Sequence, residues 1–211
     1  MRNRMLWMMS VWLLCCGVGL SVLWAYSNKP SELGAAAMHW PANEQVPLDA
    51  DRPTLVVYAH PRCPCTRATF SQLERLQAKR AGAFATRIIF YEPSDADDDW
   101  RQTYLWRQTQ RMVDTKVYAD PGGRLIHQVG SRTSGMVALY NPDRTLKFAG
   151  GITPSRGHEG PNLGMDAVIQ HLDGEASLNI TRVFGCPLLS PEELCGDAPS
   201  ACATTEINRD Q

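Results

Sequence analysis

An excess of charge of either sign is missing from this 211-residue sequence: 21 lysines and arginines stand against 22 aspartates and glutamates, a formal net charge of -1. No basic cluster is dense enough to neutralise a phosphate backbone, which excludes a nucleic-acid footprint. Several chemistry-bearing patterns are missing too. There is no glycine-rich phosphate loop, no metal-hydrolase ligand set and no Ser-His-Asp arrangement. His39, His127 and His171 are isolated along the chain and read as surface or packing residues.

Charge is also missing locally. From Met5 to Tyr26 no residue is ionisable as Asp, Glu, Lys or Arg, and about 20 apolar residues suffice to cross a hydrocarbon core. Arg2 and Arg4 precede the run, so the short end is expected to stay in the cytoplasm. Trp7, Trp24 and Tyr26 fall where amphipathic rings prefer the two interfaces. A cleaved signal peptide is the rival reading. The nearest run of small residues, Ala35-Ala36-Ala37, is well beyond the apolar segment, and Cys15 and Cys16 do not follow the small residues a lipoprotein site needs. The expectation is an uncleaved single-pass anchor in the cell (inner) membrane, with the globular part on the periplasmic or extracytoplasmic side, where disulfides persist.

What remains has the composition of a folded protein, with 20% charged and 44% hydrophobic residues. The length allows one ordinary domain plus extensions. The expected division is anchor 1–26, linker 27–52, domain 53–173 and tail 174–211. The linker carries Pro30, Pro41 and Pro47 with little periodicity.

Within the domain, Thr54 to Ala59 is a short apolar run suited to a buried strand, and Phe70, Leu73 and Leu76 recur at helical spacing. Phe84 to Tyr91 reads as a second strand. Asp97-Asp98-Asp99 opens an expected helix through Trp100, Tyr104, Leu105, Gln108 and Met112, since acidic residues favour the first turn. Lys116-Val117-Tyr118 is a brief third strand, and a short helix through Leu125 and Ile126 follows Pro121-Gly122-Gly123. Two alternating runs around Asn141-Pro142-Asp143-Arg144 form a β-hairpin on a type I turn. A last helix runs through Met165, Val168, Ile169 and Leu172. Right-handed crossovers make the first three strands parallel, and the hairpin completes a mixed sheet.

The most informative residues are His60-Pro61-Arg62-Cys63-Pro64-Cys65-Thr66, directly between the first strand and the first helix. A thiol there faces unpaired N–H groups at the positive end of a helix, which favours thiolate. Pro64 suits the first helical turn. Cys63 is therefore expected at the cap, exposed and low in pKa, with Arg62, Arg67 and His60 adding positive charge. The order of elements, with cysteines opening the first helix, resembles the thioredoxin-like fold: α/β, a mixed sheet flanked by helices, over roughly Pro53 to Leu172. His-Pro-Arg-Cys-Pro-Cys, Ser-Arg-Gly-His and the trailing Phe184-Gly185-Cys186-Pro187 resemble the RedB-type bacterial branch of that superfamily.

The sequence departs from the thioredoxin pattern twice. Only one residue separates the cysteines, so Thr66 takes the place of the second. A Cys63–Cys65 bridge then requires Cys63 outside the helix and is expected to be strained and labile. Cys186, in the tail, could instead resolve the mixed disulfide; Cys186–Cys195 or Cys195–Cys202 staples are the alternative. Five cysteines beyond the anchor leave at least one unpaired. Second, the residues before the hairpin are Arg132-Thr133-Ser134-Gly135, without the proline that the resemblance implies beside the cysteines as a platform for an extended substrate peptide.

The resulting expectation is a membrane-anchored thiol–disulfide oxidoreductase acting on a protein thiol or disulfide, without a cofactor. Its site would be Cys63, Cys65 and Cys186, supported by His60, Arg62, Thr66, Arg67, Arg156 and His158. The loop carrying Arg156 and His158 should emerge on the cysteine side of the sheet. The competing expectation is a copper-binding or copper-delivery protein using His60, Cys63, Cys65 and His158, since thiolate and imidazole suit Cu(I). A purely structural set of disulfide staples and a thiol peroxidase are weaker alternatives, the latter because the usual threonine before the cysteine is missing.

Overall fold

A computed structural model describes residues 2–42 and 45–188. Cys195 and Cys202, and any staple through them, lie outside the described residues. The core is a five-stranded sheet: β1 (Thr54–Ala59), β2 (Ala85–Glu92), β3 (Thr115–Pro121), β4 (Met136–Tyr140) and β5 (Leu146–Gly151), in the order β3-β2-β1-β4-β5. β1 runs parallel to β2, from Thr54↔Ala85 to Ala59↔Phe90, and β2 parallel to β3. β4 is antiparallel to both β1 and β5. This is the mixed sheet that the order of elements predicts.

Every residue of β1 and β2 is buried, so neither face of the sheet centre is open to water. The two faces separate by alternation along the strand. Leu55, Val57 and Ala59 join Ile88 and Phe90 under α2 (Pro64–Lys79) and α5 (Leu163–Leu172), which contribute Phe70, Leu73, Leu76, Met165 and Val168. Each such fully buried apolar side chain contributes about 1.5–3 kcal/mol. Val56, Tyr58, Ile89 and Tyr140 face the other way.

That second face has an unexpected cover. The short helix α4 (Arg124–Gln128) lies there, together with Trp100 from the stretch after the acidic run. Further cover comes from the segments read as linker and tail: Trp40 and Val46 from the first, Val183 and Leu188 from the second. Trp40 is 3% exposed, donates its indole N–H to the Val46 carbonyl at 3.1 Å and meets Tyr140 edge-on at 5.3 Å. The tail also lies along β5: Ala149 N–H donates to Asn179 O at 2.9 Å and Gly151 N–H to Arg182 O at 3.2 Å. Neither segment shows periodicity because both pair through irregular backbone rather than through a helix or long strand.

The acidic run behaves differently from expectation. Instead of one helix from Asp97 to Met112, a 3-10 helix (Asp98–Gln102) is followed by the separate α3 (Tyr104–Thr109). Thr103 breaks them apart: its backbone is extended, and its hydroxyl caps α3 by accepting from Trp106 N–H at 3.2 Å. The hairpin closes as predicted, with Arg144 N–H donating to Asn141 O at 2.9 Å. Arg144 takes a left-handed φ of 68° at the end of the turn, and the strand register slips by one residue between Leu139 and Tyr140.

Helix α1 (Arg2–Asn28) stands outside both clusters, with Trp7, Trp12 and Trp24 exposed. It is long and apolar enough to cross a membrane.

Candidate functional site

β1 ends at Ala59 and the chain turns at once. Cys63 N–H donates to His60 O at 3.1 Å, and Arg62 N–H donates to His60 Nδ1 at 3.1 Å. Cys63 is the N-cap of α2, in extended backbone (φ -87°, ψ 119°), and Pro64 follows in the first turn, where its lost N–H costs nothing. Cys63 is thus outside the helix and Cys65 inside it. The expectation of an exposed Cys63 is wrong: it is 3% exposed. Cys65 and Cys186 are half-buried.

The cover is the tail. Cys186 Sγ lies 3.0 Å from Cys63 Sγ, within hydrogen-bond reach and about 1 Å beyond a covalent S–S length. Cys65 completes a cluster in which the three sulfurs all lie within 4.8 Å of one another. Cys186 is fixed by backbone pairing to the loop before the hairpin: Ser134 N–H donates to Cys186 O and Leu188 N–H to Arg132 O, each at 2.9 Å, with Thr133 and Pro187 bridged antiparallel.

The Cys63 thiol is lowered to about 4, chiefly by the hydrogen bond from Cys186; burial opposes this, and the Thr66 N–H and hydroxyl assist. Cys186 is pushed far up, first by that same hydrogen bond and then by burial, and Cys65 is raised by burial and by the charge on Cys63. The two shifts run in opposite directions, so Cys63 is the thiol of the pair that ionises first. The stabilising group is a neighbouring thiol and the helix start, not the arginines expected to do this. Arg62 pairs with Asp97 at 3.2 Å and lies over the Trp100 ring at 4.4 Å, while Arg67 lies over Tyr104 at 5.5 Å. Both line a groove of about 230 Å³ that opens beside Cys63, with Pro61, Pro64, Tyr104 and Leu105.

His60 packs against Tyr91 and Trp100 at 6.0 and 5.3 Å. Burial lowers its pKa, Arg62 adds to this, and the Cys63 charge opposes it. Because Nδ1 accepts from Arg62, the neutral ring carries its proton on Nε2. Thr66 is fully buried, its hydroxyl 2.7 Å from Ser134 Oγ, which also accepts from His60 N–H at 2.9 Å. Ser134 thus ties the cysteine turn to the pre-hairpin loop. Gly135 beside it has φ 89°, and a Cβ there would meet Thr69 Oγ1 at 2.7 Å.

Of the loop residues, Arg156 reaches the site and His158 does not. Arg156 donates to Gly185 O next to Cys186 and to Ser31 Oγ at 2.7 Å. His158 is exposed, with Nδ1 2.7 Å from Arg156 O. Neither His60 nor His158 belongs to the three-sulfur group, so the residues that converge are not the expected copper set. Ser31 and Ser134 were not legible as site residues. A serine in a proline-bearing connector and another before a hairpin carry no spacing signal.

No protein-family model matches the chain, and no curated protein matches it in sequence. Solved structures match its fold. A hypothetical protein from Sinorhizobium meliloti 1021 superposes with a TM-score of 0.55 at 18% identity, over 77% of this chain and 96% of that one. An uncharacterized conserved protein from Geobacillus kaustophilus gives 0.55 at 12% identity, over 78% and 93%. The pneumococcal exposed lipoprotein thioredoxin Etrx1 of Streptococcus pneumoniae overlaps more loosely, with a TM-score of 0.44 at 15% identity, over 59% and 86%. The strand order β3-β2-β1-β4-β5, with the cysteine turn opening the helix after β1, is the arrangement that the thioredoxin resemblance implies.

Proposed function

We propose that this chain is a membrane-anchored, exported thiol–disulfide oxidoreductase of the RedB type, with Cys63 as nucleophile and Cys186 as resolving thiol. The observation that carries the reading is the Cys63–Cys186 sulfur pair, 3.0 Å apart at the start of α2. Cys63 thiolate attacks a substrate disulfide; a Cys63–substrate bond forms, and the first substrate sulfur leaves with the electron pair. Cys186 then gives up its proton and attacks Cys63 Sγ, so that a Cys63–Cys186 bond replaces the mixed disulfide. The second substrate sulfur leaves as thiolate and takes up that proton. The substrate gains two electrons, the protein loses them, and an external dithiol restores the reduced pair. Arg2 and Arg4 before an apolar helix support placing the domain outside the cytoplasm.

Cys63→Ser is expected to abolish disulfide reduction in an insulin-type assay, and full activity in that variant would end the assignment. Disulfide mapping of protein isolated without reductant should find Cys63 joined to Cys186.

The sulfur cluster favours a second reading, a soft metal ion such as Cu(I) held by Cys63, Cys65 and Cys186, since three thiolates suit that ion. Tight stoichiometric Cu(I) binding under anaerobic titration, lost in Cys65→Ser, supports this over the first reading, because the redox pair proposed above does not use Cys65.

A further inference from the structure

Cys186 lies in a segment without helix or strand of its own, yet its sulfur is held within reach of Cys63. Besides the pairing to the pre-hairpin loop, the carbonyl of the residue before is a second point that holds it. Gly185 O accepts from Arg156 Nη1 and from the Ser31 hydroxyl at 2.8 Å, while Arg156 Nη2 donates to Ser31 Oγ at 2.7 Å. Gly185 N–H donates back to Ser31 Oγ at 3.1 Å, and Ser31 N–H donates to Val183 O at 2.9 Å. The Ser31 hydroxyl thereby uses its one donor and both acceptor positions. Arg156 is fixed in turn: its backbone N–H donates to Ser27 O at 3.0 Å, and its guanidinium lies 5.3 Å from the Tyr26 ring. Gly185 has no room for a side chain, since a Cβ on it would fall 1.9 Å from Ser134 O.

We propose that Ser31 and Arg156 are positioning residues for disulfide exchange, a clamp on the Gly185 carbonyl that keeps Cys186 where it can displace a thiolate from Cys63. This rests on the oxidoreductase reading above. Three segments far apart in sequence build the clamp: the exit of the apolar helix, the loop after β5, and the tail. The clamp makes no hydrogen bond to the Cys63 or Cys186 sulfur. It acts chiefly on the second half of the reaction, where Cys186 attacks Cys63 Sγ, the Cys63–substrate bond breaks, and the leaving sulfur takes the proton that Cys186 released.

The test uses reduced full-length protein in detergent, mixed with a chromogenic aromatic disulfide that releases one coloured thiol on attack by Cys63 and a second on resolution. Ser31→Ala and Arg156→Lys are expected to slow the second release roughly tenfold or more relative to the first, a scale set by one good hydrogen bond. Arg156→Lys keeps the charge but loses the two-pronged fork. Gly185→Ala should slow the same phase, because its methyl collides with Ser134 O. Mass mapping of the variants should show a persistent Cys63 mixed disulfide in place of the Cys63–Cys186 bridge. Second-phase release at the wild-type rate in both clamp variants overturns the proposal, and so does equal slowing of both phases, which marks a disturbed fold rather than lost positioning. Loss of the underlying reading looks different: Cys63→Ser would then still release the first thiol.

Discussion

The backbone N–H of Ser134 donates to the carbonyl of Cys186 at 2.9 Å. The thioredoxin resemblance implies a proline beside the cysteines, and proline would remove this donor. Its absence before the hairpin thus has a use: the freed N–H holds this chain's own tail over Cys63. Ser134→Pro is expected to release the tail and to abolish Cys63–Cys186 bridging. Ser134→Ala keeps the N–H but strands the His60 N–H that its hydroxyl accepts, at a cost of about 1–3 kcal/mol. Chemical denaturation together with disulfide mapping separates the two variants: both lose stability, and only the proline variant loses the bridge.

Acidity offers a second check, because the thiolate on Cys63 is held chiefly by the Cys186 hydrogen bond. Alkylation of Cys63 in the reduced protein should persist far into acid, down to about 4, where an ordinary thiol near 8.5 would be protonated. Cys186→Ala should move the midpoint of the rate–pH curve upward. A midpoint unchanged by that variant would show that the helix start alone suffices. The sign for stability follows from linkage. Between the ordinary thiol value and about 4 the unfolded chain binds a proton that native Cys63 does not, so the contribution of this group falls as pH falls through that window. Cys186, whose pKa is raised, contributes in the opposite sense, with its share lost as pH rises beyond the ordinary thiol value.

Oxidation should stabilise the protein, and the separation of the two cysteines sets the scale. They are 123 positions apart, and cross-linking a loop of that order stabilises by about 4–5 kcal/mol in the chain-entropy account. The oxidised wild type is expected to melt well above the reduced form. Cys65→Ser should keep that gap and Cys186→Ser should lose it. A gap that instead disappears with Cys65→Ser would assign the bridge to the neighbouring pair.

How much of this could be read from residues alone depends on range. Tyr58 to Thr66 was legible because strand, turn and helix start are local, and each has its own pattern. The hairpin at Asn141 to Arg144 was legible for the same reason. Long-range pairing of irregular backbone leaves no periodic trace, so the tail lying against Thr133 and the contact of Ser31 with Gly185, 154 positions away, could not be seen. The burial of Cys63 follows from that hidden cover. Arg62 and Arg67 were misread because sequence proximity suggests a charge near a sulfur, whereas the flat guanidinium finds Trp100 and Tyr104 instead. The break at Thr103 was misread because bulky residues on both sides of it fit a single helical stripe.

The second face of the sheet supplies the last prediction. If the connector before β1 were a free spacer, replacing its aromatic residue would change little. Trp40 instead sits under Tyr140 with its indole N–H bonded to Val46 O, and Tyr140 also donates its hydroxyl to Ala37 O at 3.0 Å. Trp40→Ala should therefore cost about 3–5 kcal/mol, the range for deleting a buried large aromatic. The same change should loosen the neighbouring residues 33–37, and with them the Thr133 hydroxyl that donates to Glu32 O. Thr133 carries the bridge to Pro187, so the loss should reach the cysteines. Denaturant unfolding measures the first effect, and the fraction of Cys63 joined to Cys186 measures the second. A variant of unchanged stability would return residues 27–52 to the role of a tether, whereas a less stable variant with an intact bridge would confine Trp40 to packing.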